Sequence, residues 1–270
     1  MFLWKDCHTR FINLSHRQDR LFHMLNELDR VQLEAERFEA IRTADHQWDY
    51  SKYGTMLNRT PGAVGCHVSQ VEVMKEALSL GKCAFVMEDD LVFATDIKKR
   101  LDYIQDFVNE KAQDWDVIWL GGTFHVGPPH WHNGQNMLMP IGEHGRSNLG
   151  KDAEATDDPR IFRTFGAFST HCYIVNVHSI QKILDLFDQH IHYSIGIDYL
   201  FINLQPQLKT FAMVPGSVKQ IDNMSDIGHG ITKFSGFAAL NGGYDNSRYW
   251  WQDNMEDFDP LTFDWKEAKL

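Results

Sequence analysis

The chain has 270 residues, of which 43% are hydrophobic and 13% aromatic, a composition typical of a globular protein long enough to bury a full core. Its formal net charge of −11 argues against a nucleic-acid groove, because such grooves need a basic face that neutralises phosphates. No window approaches the roughly 20 apolar residues of a membrane span. The four cysteines are widely spaced and the N-terminus lacks the apolar region of a signal peptide, so we expect a cytoplasmic protein with reduced thiols.

The N-terminal region predicts a strand, a tight turn and an amphipathic helix, in that order. Residues 11 to 14 are mostly apolar and predict the strand, and Ser15 with Gln18 three residues later predicts a capping box. Arg17 and Arg20 then fall in the first helical turn. Cations are unfavourable at the positive end of a helix dipole, so these arginines indicate a nearby anion, with simple pairing to a surface carboxylate as the alternative.

Two further elements precede the most informative stretch of the sequence. Residues 38 to 41 predict a second strand, and residues 42 to 60 have no clear period and predict a loop. A second helix is predicted to begin near Ala63, and Gly81 is placed to end it. This alternation of strand and helix is typical of an α/β protein.

The most informative stretch is a buried strand that ends in three carboxylates. Residues 83 to 87 are mostly apolar and predict a strand covered on both faces of a parallel sheet, and Glu88, Asp89 and Asp90 follow directly. Ligands bind at the carboxyl ends of such strands, and adjacent acids repel one another unless something positive binds them. A divalent metal with oxygen ligands is therefore one interpretation, and a solvated acidic turn is the other.

The second half of the chain continues the alternation. Helices are predicted from Thr95 and from Ser179, and strands at residues 116–120, 171–177 and 210–214. No internal repeat and no linker interrupts this order. The sequence therefore predicts one α/β domain over residues 1–270, built around a mostly parallel sheet.

The longest segment without a clear period runs from residue 123 to residue 160. Irregular segments of this length in a compact domain are usually functional loops or lids. Four histidines in this segment suggest zinc, but no spacing among them matches a structural zinc site. We therefore expect loop histidines that contact substrate or solvent.

Several short motifs stand in a fixed order along the chain. They are Ile12-Asn13-Leu14 with Arg17 and Asp19-Arg20, Gly65-Cys66, Glu88-Asp89-Asp90, Trp115-Asp116 with Leu120-Gly121, and Ser225-Asp226-Ile227. In this order, over residues 8 to 230, the sequence resembles glycosyltransferase family 25, which includes bacterial lipopolysaccharide sugar transferases and collagen galactosyltransferases. The resemblance implies a GT-A-like, Rossmann-related fold, with an acceptor-side loop at 123–160 and an irregular aromatic C-terminal tail at 231–270.

The resemblance also implies an activity. It predicts a metal-dependent glycosyltransferase that moves a sugar, with inversion at the anomeric carbon, from a nucleoside-diphosphate sugar to a hydroxyl group of a glycan or another acceptor. The donor is expected to be a UDP-sugar, with Mn²⁺ or Mg²⁺ bridging its two phosphates. No nucleic-acid partner is expected.

The resemblance assigns roles to particular residues. The metal ligands are expected to be Asp90, Glu88 and His229, although His229 stands between two glycines and is equally well read as a turn residue. Asp198 is the candidate general base, with a helix N-cap as the alternative role because Gly196 precedes it closely. The donor site is expected to include Asn13, Leu14, Arg17, Arg20, Arg42, Asp89, Gln220 and Asp226.

One position departs from the pattern of the family. Members usually carry Ser-His after the Gly-Cys pair, whereas here Ser69 is followed by Gln70, which cannot exchange a proton. No function is assigned to Gln70 from the sequence. Two other functions stay open: an inactive glycan-binding accessory protein of the same fold, favoured by the aromatic run at 244–251, and a metal-dependent nucleotidyltransferase, which would release pyrophosphate.

Overall fold

A computed structural model describes residues 1–45, 47–51, 53, 61–121, 153–167, 170–191, 196–221, 223–226, 230–232 and 253–257. Within these ranges the helices are α1 (Gln18–Val31), α2 (Pro61–Ser79), α3 (Ile97–Lys111), α4 (Val177–His190) and α5 (Ile197–Leu204). The strands are β1 (His8–Asn13), β2 (Glu36–Glu39), β3 (Ala84–Met87), β4 (Leu91–Phe93), β5 (Val117–Trp119), β6 (Ala153–Ala155), β7 (Ile161–Thr164), β8 (Cys172–Val175), β9 (Thr210–Met213), β10 (Val218–Gln220), β11 (Asn223–Ser225) and β12 (Gly230–Thr232).

An eight-stranded sheet in the order β2-β1-β3-β8-β5-β9-β7-β6 forms the centre of the fold. Strand β1 is parallel to β2 and β3, and β5 is parallel to β9, whereas the remaining neighbours are antiparallel. As a result β7 and β8 run against all the other strands of this sheet. The predicted α/β fold with a mostly parallel central sheet is confirmed, and β8 lies reversed between the parallel strands β3 and β5.

Helices cover both faces of the sheet. On one face, α1 and α3 pack over a core that includes Phe85 and Met87 of β3. On the other face, α2, α4 and α5 pack over Ala84 and Val86. Successive side chains of a strand point to opposite faces, so a strand that is covered twice has an unbroken apolar sequence. This explains why residues 83–87 show no alternation of apolar and polar residues.

Two small antiparallel ladders complete the described structure. Strand β4 pairs with β10, and this ladder places Gln220 opposite Leu91, directly after the acidic triplet. Strand β11 pairs with β12. Among the described residues, no helix combines the length and the apolar character needed to cross a bilayer.

Three helix starts differ from the sequence predictions. The smallest difference is at α3, which the sequence predicts from Thr95 and which has Asp96 as its N-cap. Helix α1 has no capping box: Arg17 is its N-cap without a side-chain bond, and the Gln18 amide donates to the Ser15 carbonyl oxygen at 2.7 Å. Helix α4 is capped by Asn176, because the hydroxyl of Ser179 is engaged by a buried carboxylate. A tertiary partner thus competes successfully with the local capping pattern.

The segment expected to be irregular up to residue 160 contributes partly to the sheet. Strand β6 lies inside it and pairs with β7 at the sheet edge. In the tail, a short 3-10 turn at Met255–Asp257 is held on α3, where the Met255 backbone N–H donates to Asp96 Oδ2 at 2.7 Å. The histidines of the long segment and the aromatic run at 244–251 lie outside the described residues.

Gly65 lies where α2 comes closest to the chain that follows β2. A Cβ atom at this position would stand 2.5 Å from the carbonyl oxygen of Ile41, a backbone atom that cannot rotate away. We expect Gly65→Ala to lower the free energy of unfolding by about 1–3 kcal/mol, the usual cost of overpacking, as measured by urea denaturation. Gly196→Ala is the matched control, because a Cβ there meets nothing within 4 Å. Equal stability of the two variants would contradict the close approach.

Candidate active site

The candidate site is built at the edge where β1 and β3 end. Because these strands are parallel, Asn13 at the end of β1 reaches the residues that follow β3, and its Nδ2 donates to Asp89 Oδ2 at 2.7 Å. Strand β8 runs in the opposite direction, so its first residues lie at the same edge. There the Glu88 backbone N–H donates to the His171 carbonyl oxygen at 2.8 Å.

The three carboxylates are divided between two sets of partners. Gln220 Nε2 donates to Glu88 Oε2 at 3.0 Å and to Asp90 Oδ1 at 3.2 Å, so these two side chains converge on one point. Asp89 instead accepts from Asn13 and, at 2.8 Å, from Arg20 Nη1. Arg20 Nη1 also lies 3.4 Å from Asp90 Oδ2. The three donor side chains therefore hold the triplet in a defined arrangement, unlike a solvated turn.

The basic start of α1 faces carboxylates of the protein itself. Arg20 pairs with Asp89, as described above, and Arg17 pairs with both Asp19 and Asp226. The pairing with Asp19 raises the pKa of Arg17 and lowers the pKa of Asp19 to about 2. The negative charge expected near this helix start is therefore supplied in part by Asp89 of the acidic triplet and by Asp226, which follows β11.

The site has an excess of buried negative charge. Burial raises the pKa of Glu88 well above its ordinary value, and the charges of Asp90, Asp198 and Asp89 raise it further. Burial also raises the pKa of Asp90, although Arg20 opposes this shift. Carboxylates in this situation favour either a proton or a bound cation.

The residues present fit part of a divalent-cation site. Glu88 Oε2 and Asp90 Oδ1 both lie within hydrogen-bonding distance of one amide nitrogen, and hard oxygen atoms are the ligands that Mg²⁺ and Mn²⁺ prefer. Among the described residues, no three His, Cys, Asp or Glu side chains form a complete ion site. Mg²⁺ is commonly held by one or two carboxylates together with substrate phosphates, which matches this pair. His229 lies outside the described residues.

Asp198 lies in the first turn of α5, but it does not cap that helix. Gly196 is the N-cap, and Asp198 Oδ1 instead accepts hydrogen bonds from Thr170, at 2.6 Å from the backbone N–H and at 2.8 Å from Oγ1. Burial raises the pKa of Asp198, and the bonds from Thr170 oppose that shift. Within the described part of the chain both of its hydrogen bonds involve Oδ1, which leaves Oδ2 to accept a proton.

The other expected donor-site residues occupy different surroundings. Gln220 lies in the acidic cluster, and Asp226 pairs with Arg17 at the start of α1. Leu14 lies in the turn before α1, where its carbonyl oxygen accepts from the Arg17 N–H at 2.9 Å. Arg42 is exposed and pairs with Asp45, and none of its described contacts joins the acidic cluster.

Sequence reasoning did not identify four residues that the fold brings to this edge. Arg37 of β2 donates to Asn13 Oδ1 at 3.0 Å. The other three are Gln70, Thr170 and Tyr173. Gln70 contacts both Glu88 and Thr170, and Thr170 bonds Asp198. Tyr173 bonds Gln70. The sequence marks Gln70 by its departure from the family pattern, and it marks both Gln70 and Tyr173 as polar groups on otherwise apolar faces, where burial requires a partner.

Replacing Glu88 should reveal the strain that its buried charge imposes. Its raised pKa means that the folded state favours the protonated form, so the stabilisation present below the unfolded value of 4.5 is lost as pH rises through the folded value. In buffer with a chelator, we expect Glu88→Gln to raise Tm by roughly 2–4 °C at neutral pH, the effect of about 1 kcal/mol, and to change it little at pH 4.

Thermal unfolding at several pH values measures this effect. The control is Glu110→Gln on the exposed face of α3, for which we expect no pH-dependent gain. A Tm gain for Glu88→Gln that is the same at both pH values would contradict a buried charge as its cause.

Comparison with known proteins finds one matching family model and several similar proteins. The family model described as glycosyltransferase family 25 (LPS biosynthesis protein) matches residues 8–201. Procollagen galactosyltransferase 1-B of Xenopus laevis is 29% identical over 134 residues, covering 41% of this chain and 20% of that protein. Procollagen galactosyltransferase 2 of Homo sapiens is 30% identical over 124 residues, with the same shares.

Not all the similar proteins are described as active. Inactive glycosyltransferase 25 family member 3 of Mus musculus is 28% identical over 127 residues, covering 41% of this chain and 21% of that protein. The chain thus spans about a fifth of the length of the curated relatives it matches. A solved structure of a candidate glucose-1-phosphate thymidylyltransferase from Bacillus anthracis covers 87% of this chain and 76% of its own, at 12% identity and a TM-score of 0.34, which is too low to support an argument.

Proposed function

The chain belongs to glycosyltransferase family 25, and from this premise we propose that it transfers a sugar from a nucleoside-diphosphate sugar to a hydroxyl group of a glycan or another acceptor. The observation that carries the proposal is the meeting of Glu88, Asp90 and Asp198 at one end of the sheet. Gln220 Nε2 bonds both Glu88 and Asp90. Gln70 Nε2 lies 3.4 Å from Glu88 Oε1 and from Thr170 Oγ1, which donates to Asp198 Oδ1 at 2.8 Å. In the proposed reaction Glu88 and Asp90 serve the diphosphate of the donor, and Asp198 serves the hydroxyl group of the acceptor.

Glu88 and Asp90 are proposed to hold Mn²⁺ or Mg²⁺. When bound, the ion supplies positive charge that neutralises the diphosphate of the donor as it leaves. Arg20 lies beside Asp89 and Asp90 and adds a fixed positive charge to the same region. Asn13 and Arg37 are bonded to each other next to this region and are proposed to line the nucleotide pocket, with a UDP-sugar as the expected donor.

Asp198 is proposed to act as the general base. The acceptor hydroxyl loses its proton to Oδ2 as its oxygen attacks the anomeric carbon, and the bond from that carbon to the diphosphate oxygen breaks with inversion. The two bonds from Thr170 to Oδ1 fix the orientation of the carboxylate while Oδ2 accepts the proton. The raised pKa of Asp198 makes it a stronger base than an exposed aspartate.

A screen of nucleotide sugars tests this function directly. Thermal-shift measurements with Mn²⁺ and each nucleotide sugar identify the donor, because a ligand that binds only the folded state raises its stability. Release of a nucleoside diphosphate upon addition of a glycan acceptor then demonstrates transfer. Pyrophosphate release would instead indicate a nucleotidyltransferase. Binding without any turnover would favour an inactive accessory protein of the same fold, and one similar protein is described as inactive.

A further inference from the structure

Gln70 lies fully buried on α2, between Glu88 and the residue that holds Asp198. Its amide nitrogen has three acceptors in reach: Thr170 Oγ1 at 3.4 Å, Glu88 Oε1 at 3.4 Å and Cys66 Sγ at 3.5 Å. The side chain therefore touches both halves of the proposed site. A fully buried amide needs such partners, so this position alone does not distinguish a functional role from a packing role.

The orientation of the Gln70 amide is set by Tyr173. The hydroxyl group of Tyr173, which is fully buried on β8, donates to Gln70 Oε1 at 2.7 Å. With its oxygen engaged in this way, the amide must present its N–H groups to the site. A rotation of the amide would place two donors against each other and leave acceptors without partners.

The amide orientation in turn directs the hydroxyl group of Thr170. A hydroxyl group carries one proton, and Thr170 Oγ1 accepts from Gln70, so its proton is free to go to Asp198 Oδ1 at 2.8 Å. The result is a directed series of hydrogen bonds from Tyr173 through Gln70 and Thr170 to Asp198. Every donor in this series points towards the proposed base.

We infer that Gln70 is a positioning residue which, through Thr170, keeps Asp198 Oδ1 occupied and Oδ2 directed to the acceptor. This inference rests on the proposed function, because it assigns Gln70 a part in the same transfer. Gln70 touches neither the sugar nor the reacting atoms in this scheme. The titratable and charged groups that face this region are Cys66 on α2, Cys172 and Tyr173 on β8, Glu88, Asp89 and Asp90 after β3, Asp198 on α5 and Arg20 on α1.

Gln70→Met tests the inference, because methionine fills a similar volume without hydrogen bonds. We expect kcat to fall roughly tenfold to a hundredfold, the scale of a poorly oriented base. The donor KM should change much less than kcat, because Glu88 keeps its shorter bond from Gln220 at 3.0 Å. The acid limb of the pH profile of kcat should move to higher pH. Without Gln70 the Thr170 hydroxyl group is less well directed to Asp198 Oδ1, so the carboxylate form of Asp198 is stabilised less and its pKa rises. Gln205→Met is the matched control: Gln205 is equally buried, and within the described residues its side chain bonds the backbone of Ala167, so the variant should lose stability without moving the profile.

Variants of Tyr173 and Thr170 keep the test decisive if Gln70→Met folds poorly. Tyr173→Phe removes only the hydroxyl group that orients the amide, and it should move the pH profile in the same direction. Thr170→Val should reproduce the loss, whereas Thr170→Ser should restore activity. The double variant Gln70→Met/Thr170→Val should be no slower than Thr170→Val alone, because both changes break one series of bonds. Additive losses would overturn the inference.

A titration separates this inference from the proposed function. If the natural protein transfers no sugar from any nucleotide sugar, the proposed function fails. Carboxyl ¹³C labelling of aspartate then follows Asp198 directly, with its signal assigned by its loss in Asp198→Asn. We expect Asp198 to titrate at higher pH in Gln70→Met than in the natural protein. An unchanged titration would overturn the inference, whatever the activity.

Discussion

Asp90→Ala is expected to abolish sugar transfer and metal-dependent donor binding while the fold survives. Asp90 supplies one of the two carboxylate oxygens that converge on the amide of Gln220, so its removal leaves Glu88 alone to hold a cation. Loss of a metal that stabilises a leaving diphosphate is worth several kcal/mol. We therefore expect transfer to fall by at least roughly a thousandfold.

Calorimetry and a turnover assay measure the two parts of this prediction. Donor binding in the presence of Mn²⁺ should disappear in Asp90→Ala, while the weaker binding in a chelator should be the same as in the natural protein. Asp188→Ala, an exposed aspartate of α4, is the control and should leave both unchanged. Undiminished transfer by Asp90→Ala would remove Asp90 from the metal site.

Asp198→Asn should lower kcat by roughly a hundredfold to ten-thousandfold, the contribution of a positioned general base, while donor binding is retained. Asparagine keeps the size of the side chain, and its amide oxygen still accepts from Thr170. It cannot take a proton from the acceptor hydroxyl group. Because Gly196 occupies the N-cap of α5, we expect little loss of stability from this variant.

The comparison of kcat with donor affinity distinguishes a base from a structural residue. A base affects the chemical step only, so the donor dissociation constant should stay within about twofold and Tm within a few degrees. Equal losses of donor binding and turnover would indicate that Asp198 supports the segment before β8. Thr170→Val, which removes one of the two bonds to Oδ1, should give a smaller loss of kcat than Asp198→Asn.

The acidic end of β3 could be predicted from the sequence because its cause is local. An apolar run covered on both faces, followed directly by carboxylates, places acids at the carboxyl edge of a sheet whatever the neighbouring strands are. The meeting of Asn13 with Asp89 also follows from two parallel strands that end together. Both results depend only on periodicity and on the direction of adjacent strands.

The role of β8 could not be predicted in the same way. The apolar pattern of residues 171–177 predicts a strand but carries no information about its direction or its neighbours. Insertion of β8 between β3 and β5, with reversed direction, brings Thr170 and Tyr173 to the edge that holds Glu88. The contacts of Gln70 depend on this insertion, and therefore no local pattern around Gln70 indicates them.

The pairing of β4 with β10 has a consequence for how the site forms. It sets Gln220 against carboxylates that precede it by 130 and 132 positions in the chain. During synthesis, the acidic residues leave the ribosome long before the amide that joins them. Until then Glu88 and Asp90 lack this shared donor, so the arrangement of the two carboxylates is completed only after Gln220 has been synthesised. Contacts so distant in sequence form late and slowly, and they make assembly of the site one of the last steps in folding.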